Sequence, residues 1–100
     1  MAYELLIGLH VTDEAGYQAY RDAMRPILES YGGGFRYDFQ ISEALASQAD
    51  HKINRLFIIY FKDKAAREGF FNDPAYKKVR AKHFTPSVAG STVIGTLEKR

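Results

Sequence analysis

Apolar and polar residues alternate from residue 3 to residue 11. Tyr3, Leu5, Ile7, Leu9 and Val11 fall on one side, and Glu4, Leu6, Gly8 and His10 on the other. A period of two predicts a strand. Thr12 or Asp13 can then cap a helix, with Glu14 in its first turn. Tyr17, Tyr20, Met24, Ile27, Leu28 and Tyr31 recur at spacings of three and four, which predicts an amphipathic helix ending near residue 31. Pro26 lacks the amide hydrogen that the helix ladder needs, so it is expected to kink or divide this helix. Gly32, Gly33 and Gly34 stop it, because glycine takes the left-handed conformation that ends helices.

Residues 35–42 alternate again. Phe35, Tyr37, Phe39 and Ile41 are expected on one face, and Arg36, Asp38 and Gln40 on the other. Residues 43–52 are small and polar, a long loop or an extended hairpin tip. Residues 54–61 are apolar on both faces, which predicts a central strand. Asp63 caps a second helix over residues 64–71. Asp73 and Pro74 restart it, as N-cap and first helical residue, and the second piece runs to about residue 83. Pro86 and Gly90 mark a turn. Residues 91–97 form the last strand, with Val93 and Leu97 apolar. No repeat, linker or low-complexity segment interrupts the chain.

Strand, helix, strand, strand, helix, strand is the split β-α-β pattern of ferredoxin-like domains. It predicts one α+β domain of βαββαβ order over residues 1–100, a four-stranded antiparallel sheet with two helices on one face. Leu5, Ile7, Leu9, Phe35, Phe39 and Ile41 are expected to meet the helices. The other face would carry Glu4, Leu6, Gly8, His10, Arg36, Asp38 and Gln40, plus one apolar side of the third strand. So mixed a face suits a homodimer seam better than bare solvent. A chain of this size buries only about two-thirds of its unfolded surface, so a partner subunit would widen a thin stability margin.

Composition sharpens this picture in few places. Seven Tyr and seven Phe, with no Trp, predict a core built on rings. Fourteen basic against twelve acidic residues leave a net charge of +2, too little to draw the chain strongly to nucleic acid or an anionic membrane. Lys77, Lys78, Arg80 and Lys82 read as a solvated helix face, with no nucleic-acid motif beside them. The absence of cysteine excludes disulfides, thiolate nucleophiles and cysteine-based metal sites. Three scattered histidines have no metal-ligand spacing, and there is no phosphate loop, dinucleotide fingerprint or nucleophile elbow, so no cofactor is expected. The start lacks the basic-then-apolar signature of a secretory signal, and no apolar run could span a bilayer, so the expected location is cytoplasmic.

Candidate chemistry is sparse. His10 ends the first strand on the mixed face, either as a general base titrating near neutrality or as a histidine hydrogen-bonded at the seam. Arg36 and Asp38 stand two apart on one strand and so point the same way, as a structural salt bridge within or between subunits or as substrate contacts. Tyr17, Tyr20, Tyr31 and Tyr60 either present hydroxyls to a cavity between sheet and helices or are core rings satisfied at the rim. In the other register Tyr60 faces the seam. Arg21 and Arg25 lie four apart and could hold an anion, with surface solvation the simpler reading. His83 sits where a cation favours a helix C-terminus.

An ordered set of short segments runs along most of the chain. It comprises Tyr17-Gln18-Ala19-Tyr20-Arg21, Pro26, Tyr31-Gly32-Gly33, Arg55-Leu56-Phe57-Ile58-Ile59-Tyr60-Phe61, Ala65-Ala66 and Phe71-Asn72-Asp73-Pro74-Ala75-Tyr76. Together they resemble the DUF1330 family of small bacterial proteins, part of the dimeric α/β-barrel superfamily. Residues 42–54 depart from the family pattern, which often holds glycine and tryptophan there. The resemblance implies a homodimer and, by superfamily kinship, cofactor-independent proton transfer or oxygenation of a small, partly apolar compound. On that implication His10 transfers the proton, Asp38 orients or charge-balances it, and Tyr20 or Tyr60, with Arg36, binds the substrate. The alternative is a non-catalytic dimeric module that binds a small ligand or assembles. Some superfamily members bind haem through a helix histidine in the region of His83, the other reading of that residue.

Overall fold

The computed structural model describes residues 2–99. Four strands pair antiparallel in the order β2-β3-β1-β4. They are β1 (Ala2–Val11), β2 (Gly34–Gln40), β3 (Arg55–Phe61) and β4 (Val88–Lys99). The two inner strands are the most apolar ones, because only an inner strand has both faces available for cover. Leu5, Leu9, Phe57, Ile59 and Phe61 are buried on one face of the sheet. Helix α1 (Glu14–Ser30) covers that face with Tyr17, Tyr20, Met24 and Leu28.

Local signals set the ends of α1. The Asp13 carboxylate accepts the Gly16 N–H at 3.0 Å and caps the first turn. Gly32 adopts φ 73, and the Gly32 and Gly33 amides donate back to the Glu29 and Leu28 carbonyls. Pro26 does not divide the helix. It lies on the exposed side with Asp22, so water can reach the Asp22 carbonyl that Pro26 cannot serve. The buried stripe meanwhile runs on through Met24 and Leu28.

The second crossover breaks where Asp73 and Pro74 predict, and then again. Helix α2 (Lys64–Asn72) is capped by Asp63, and α3 (Pro74–Val79) by Asp73. Arg80–Phe84 winds as a π-helical turn, and the short helix α4 (Thr85–Ser87) follows. Three short helices and a π turn thus stand where the sequence predicts one second helix in two pieces. Pro86 is helical rather than part of a turn, and β4 starts directly at Val88. Ser87 accounts for this compact join. Its hydroxyl donates to the His83 carbonyl at 2.6 Å, and its carbonyl accepts the Thr12 and Asp13 amides. Gly16 leaves the room for it, since a Cβ there would collide with the Ser87 hydroxyl.

Of the three register shifts in the sheet, two redirect the side chains that matter here. Phe35 pairs with Ile59 but Tyr37 pairs with Ile58, so Arg36 is an extra residue in β2. Simple alternation puts Phe35, Tyr37 and Phe39 together under the helices. The bulge instead keeps Phe35 there, turns Tyr37 and Phe39 to the open face, and sends Asp38 towards α1. In β4, Gly95 pairs with Leu6 and Val93 with Ile7, so Ile94 is extra and Val93 and Leu97 face opposite sides. Residues 41–54 fold back as a loop. The Asn54 side chain bonds both the N–H and the carbonyl of Val11 at 2.8 Å, and His51 reaches the Thr92 hydroxyl at 2.7 Å. No described helix is long and apolar enough to cross a membrane.

Leu28→Ala is expected to remove about 2–5 kcal/mol of unfolding free energy in urea titrations, because it hollows the α1 stripe. Pro26→Ala is expected to raise stability, by on the order of 1 kcal/mol, because it returns an amide donor to a continuous helix. A destabilised Pro26→Ala protein would mean that the helix needs the proline.

Candidate functional site

One cation is buried between α1 and the sheet. Arg21 is 2% exposed. Its guanidinium lies 3.9 Å from the centroid of the Phe35 ring and 4.6 Å from that of Phe57. Such faces attract a cation, yet a buried guanidinium also needs acceptors. Its Nε donates to the Tyr17 hydroxyl at 2.7 Å, and Nη1 and Nη2 donate to Asp38 at 3.0 and 3.4 Å. Arg55 donates to the same carboxylate from Nε and Nη2, at 2.8 and 2.9 Å. Burial by itself would raise the Asp38 pKa. The Arg55 hydrogen bonds and the charge of Arg21 outweigh it and hold the carboxyl below its ordinary value. Asp38 is therefore a fixed anion between two guanidiniums, poorly suited to accept a proton.

Arg21 also borders a cavity of about 420 Å³ between sheet and helices. Leu5, Ile7, Met24, Phe57 and Phe84 supply apolar walls, and Ser91 and Val93 bound it from β4. Inside, the hydroxyls of Tyr20 and Tyr76 are 2.9 Å apart, and either can donate to the other. Two phenols hold two protons and their mutual bond uses one, so one remains for a third acceptor. Burial, reinforced by Tyr76, raises the Tyr20 pKa well above its ordinary value, and burial raises that of Tyr76. Both are neutral at physiological pH and act as hydrogen-bond donors. Arg67, Lys77 and Arg80 line the same cavity from the second crossover. Among the described residues lining it there is no carboxylate and no imidazole.

The residues singled out from the sequence are divided between the two sheet faces. Tyr20 lies in the cavity, and Asp38 stands behind it through Arg21. His10, Arg36 and Tyr60 belong to the opposite, open face. His10 is half-buried and pairs with Gly90. The Arg36 guanidinium stacks 4.1 Å from the Tyr60 ring centroid and donates to Glu4 at 2.9 Å. Glu4 is 1% exposed. The expected partnership of His10 with Asp38 is therefore not formed, because the sheet lies between them. The expected Arg36–Asp38 pair is likewise absent, and Tyr20 and Tyr60 share no cavity. The Arg36 bulge is the cause, since it reverses the side on which Asp38 emerges.

Arg21 overturns the surface reading given to it from the sequence. The signal was present: it follows Tyr17 by one helical turn and adjoins Tyr20 and Met24 on the buried stripe. Tyr76 and Arg67 carried no comparable mark, since their place depends on how the broken crossover folds back. No group of three or more His, Cys, Asp or Glu able to hold a metal occurs among the described residues.

A family model described as Domain of unknown function (DUF1330) matches residues 2–95. Among curated proteins no match is found. Among solved structures the chain is similar to a protein of unknown function from Rhodopseudomonas palustris, at 22% identity and a TM-score of 0.82, covering 99% of this chain and 82% of that one. It is also similar to a dimeric ferredoxin-like protein of unknown function from Jannaschia sp. CCS1, at 17% identity and a TM-score of 0.60, covering 99% and 100%. A third is SnoaB, a cofactor-independent oxygenase from Streptomyces nogalater, at 14% identity and a TM-score of 0.58, covering 99% and 91%. At these identities the likeness carries the fold: an α+β chain with a four-stranded antiparallel sheet and helices.

Asp38→Asn takes the anion from between two guanidiniums and leaves Arg21 buried without a countercharge. A loss of about 2–4 kcal/mol is expected at neutral pH, below the range for fully buried pairs because Asp38 is partly exposed. The folded pKa of Asp38 is depressed, so its contribution is complete above the ordinary value of 3.8 and disappears as pH falls through the lower folded value. Denaturation at stepped pH should show wild type losing this increment in acid while the Asn variant does not. Identical acid limbs would refute the assignment.

Proposed function

The chain belongs to the family described as Domain of unknown function (DUF1330), and from that premise we propose that it binds a small, flat, partly apolar molecule in the cavity between sheet and helices. The observation that carries this reading is the Tyr20–Tyr76 hydroxyl pair, 2.9 Å apart inside a ring-walled cavity of about 420 Å³. Small-molecule sites have this character: mostly apolar walls with a few convergent polar groups that fix orientation. The spare phenolic proton suits a carbonyl, phenol or ionised oxygen on the ligand.

A second reading, cofactor-independent proton transfer or oxygenation, draws on the same pair. Preformed donors stabilise negative charge as it develops on a substrate oxygen, such as that of an enolate. The likeness to SnoaB, described as a cofactor-independent oxygenase, supports it at the level of fold. With no carboxylate or imidazole among the described residues lining the cavity, the substrate on this reading is itself acidic enough to lose its proton to water. Tyr20 then contacts substrate, and Asp38 positions the cavity wall through Arg21.

The open sheet face is, on this proposal, the seam of a homodimer. The unit is then a βαββαβ domain, with residues 64–87 taken as one broken helix, and two copies form a dimeric α/β barrel. Tyr37 and Phe39 support this, stacked at 5.9 Å between centroids and 58% and 51% exposed. Leu6, Leu56 and Ile58 adjoin them in an apolar hollow. Exposed clusters of this kind mark association surfaces. His10, Arg36 and Tyr60 become seam residues, as does the Glu4–Arg36 pair.

Calorimetric titration with 2-naphthol tests the ligand site. Wild type is expected to bind it, and Tyr20→Phe to bind about 5- to 10-fold more weakly, the worth of one hydrogen bond. Failure of wild type to bind any flat aromatic probe would sink the reading. Oxygen uptake with an enolisable aromatic ketone separates catalysis from binding alone. Light scattering tests the seam: a dimer is expected for wild type and a monomer for Phe39→Asp, and a monomeric wild type would remove it.

A further inference from the structure

The charge around the cavity is one-sided. Arg21, Arg67, Lys77 and Arg80 all line it, and among the described residues no acidic one does. Asp38 neutralises Arg21. Arg67, Lys77 and Arg80 take part in no ion pair among the described residues. All three come from the second crossover, so one wall of the cavity carries uncompensated positive charge.

Arg67 adds a more specific mark. Its Nε is buried and has no hydrogen-bond acceptor. Its guanidinium sits 5.4 Å from the centroid of the Phe71 ring and 5.9 Å from that of Tyr3. A buried charged donor without an acceptor is unfavourable until something supplies one. Arg80 lies 4.7 Å from the Phe84 ring centroid and close enough to the Tyr76 hydroxyl to interact with it. Arginine donates along the edges of its planar guanidinium, and those edges match a carboxylate.

Granting that the cavity is the ligand site, we infer that its ligand is an anion: a carboxylate on a flat apolar body, its head towards the cations of the second crossover and its body among the rings. The Tyr20–Tyr76 pair gives the head, or an oxygen near it, a neutral donor. Lys77, exposed at the same wall, raises the local concentration of anions by its charge. A cationic ligand would meet three like charges with no acid to receive it. A neutral one could offer Arg67 an acceptor but would leave the positive charge of that wall unbalanced.

The test compares 2-naphthoate with its neutral isostere 2-naphthamide by calorimetry at low and high sodium chloride. Naphthoate is expected to bind about tenfold tighter at low salt, with the gap narrowing as salt screens the cations. Arg67→Gln and Arg80→Gln together should abolish the preference, bringing the naphthoate affinity down to the naphthamide affinity measured on the same variant. Arg67→Lys, which keeps the charge, should retain most of it and covers the case in which the Gln protein does not fold. Equal binding of the two ligands by wild type overturns the anion inference and leaves the cavity reading standing. Binding of neither overturns both. A naphthoate preference that survives in the double Gln variant also overturns it, by locating the head elsewhere.

Discussion

A guanidinium buried among aromatic rings constrains much of this molecule. Arg21 sits on the inward face of α1 and is only 2% exposed, so little water can hydrate it. Ring faces attract it but accept no hydrogen bond strong enough to replace hydration, so an anion must come to it. That anion is Asp38, carried by an edge strand whose plain alternation would point it the other way. The Arg36 bulge resolves the conflict by inserting one residue between Phe35 and Tyr37. Because side chains alternate with period two, one extra residue reverses everything after it. Bringing Asp38 in therefore turns Tyr37 and Phe39 out. The buried ion pair and the exposed ring pair are two consequences of one backbone irregularity.

The same logic separates what the sequence discloses from what it hides. Strand β1, the stripe of α1, the caps at Asp13 and Asp63 and the Asp73-Pro74 restart depend on residues a few positions apart. Their signals are local, and the structure follows them. The central place of β3 follows from its apolar residues on both faces. The Arg36 bulge has no local signature: no glycine marks it, and Phe35 to Gln40 reads as an unbroken strand. Its cause is Arg21, seventeen positions before Asp38, and the contact exists only once α1 lies on the sheet. Arg21 reads as a surface residue because arginine defaults to the surface, although its spacing from Tyr17 and Met24 places it on the buried stripe. The cavity was the least legible feature, since Tyr20 and Tyr76 meet across fifty-six positions through a crossover broken three times.

The titratable groups explain why the cavity is better suited to holding a ligand than to taking its proton. A general base needs a free lone pair and a pKa near the working pH. Asp38 has neither, being fixed below its ordinary value by two guanidiniums. Tyr20 and Tyr76 are pushed the other way by burial and keep their protons. Each group is thus poised for a static role, the carboxylate as countercharge and the phenols as donors. Chemistry in such a place would depend on the acidity of the bound molecule, with the protein stabilising the anion formed.

The two faces of the sheet are mechanically joined through residues 35–38. Phe35 stacks against the Arg21 guanidinium on the cavity side, Arg36 clamps Glu4 and Tyr60 on the open side, and Asp38 returns to Arg21. Four consecutive residues therefore contribute to the cavity wall, the ion pair of the open face, the exposed ring stack and the countercharge of Arg21. An edge strand has a neighbour on one side only, and a bulge weakens its ladder further. Side-chain anchors on both faces compensate for that. In a dimer joined at the open face, the partner would press on Arg36 and Tyr37 and so hold Asp38 and Arg21 in place. Association would then stiffen a cavity wall that a lone subunit secures with one bulged edge strand.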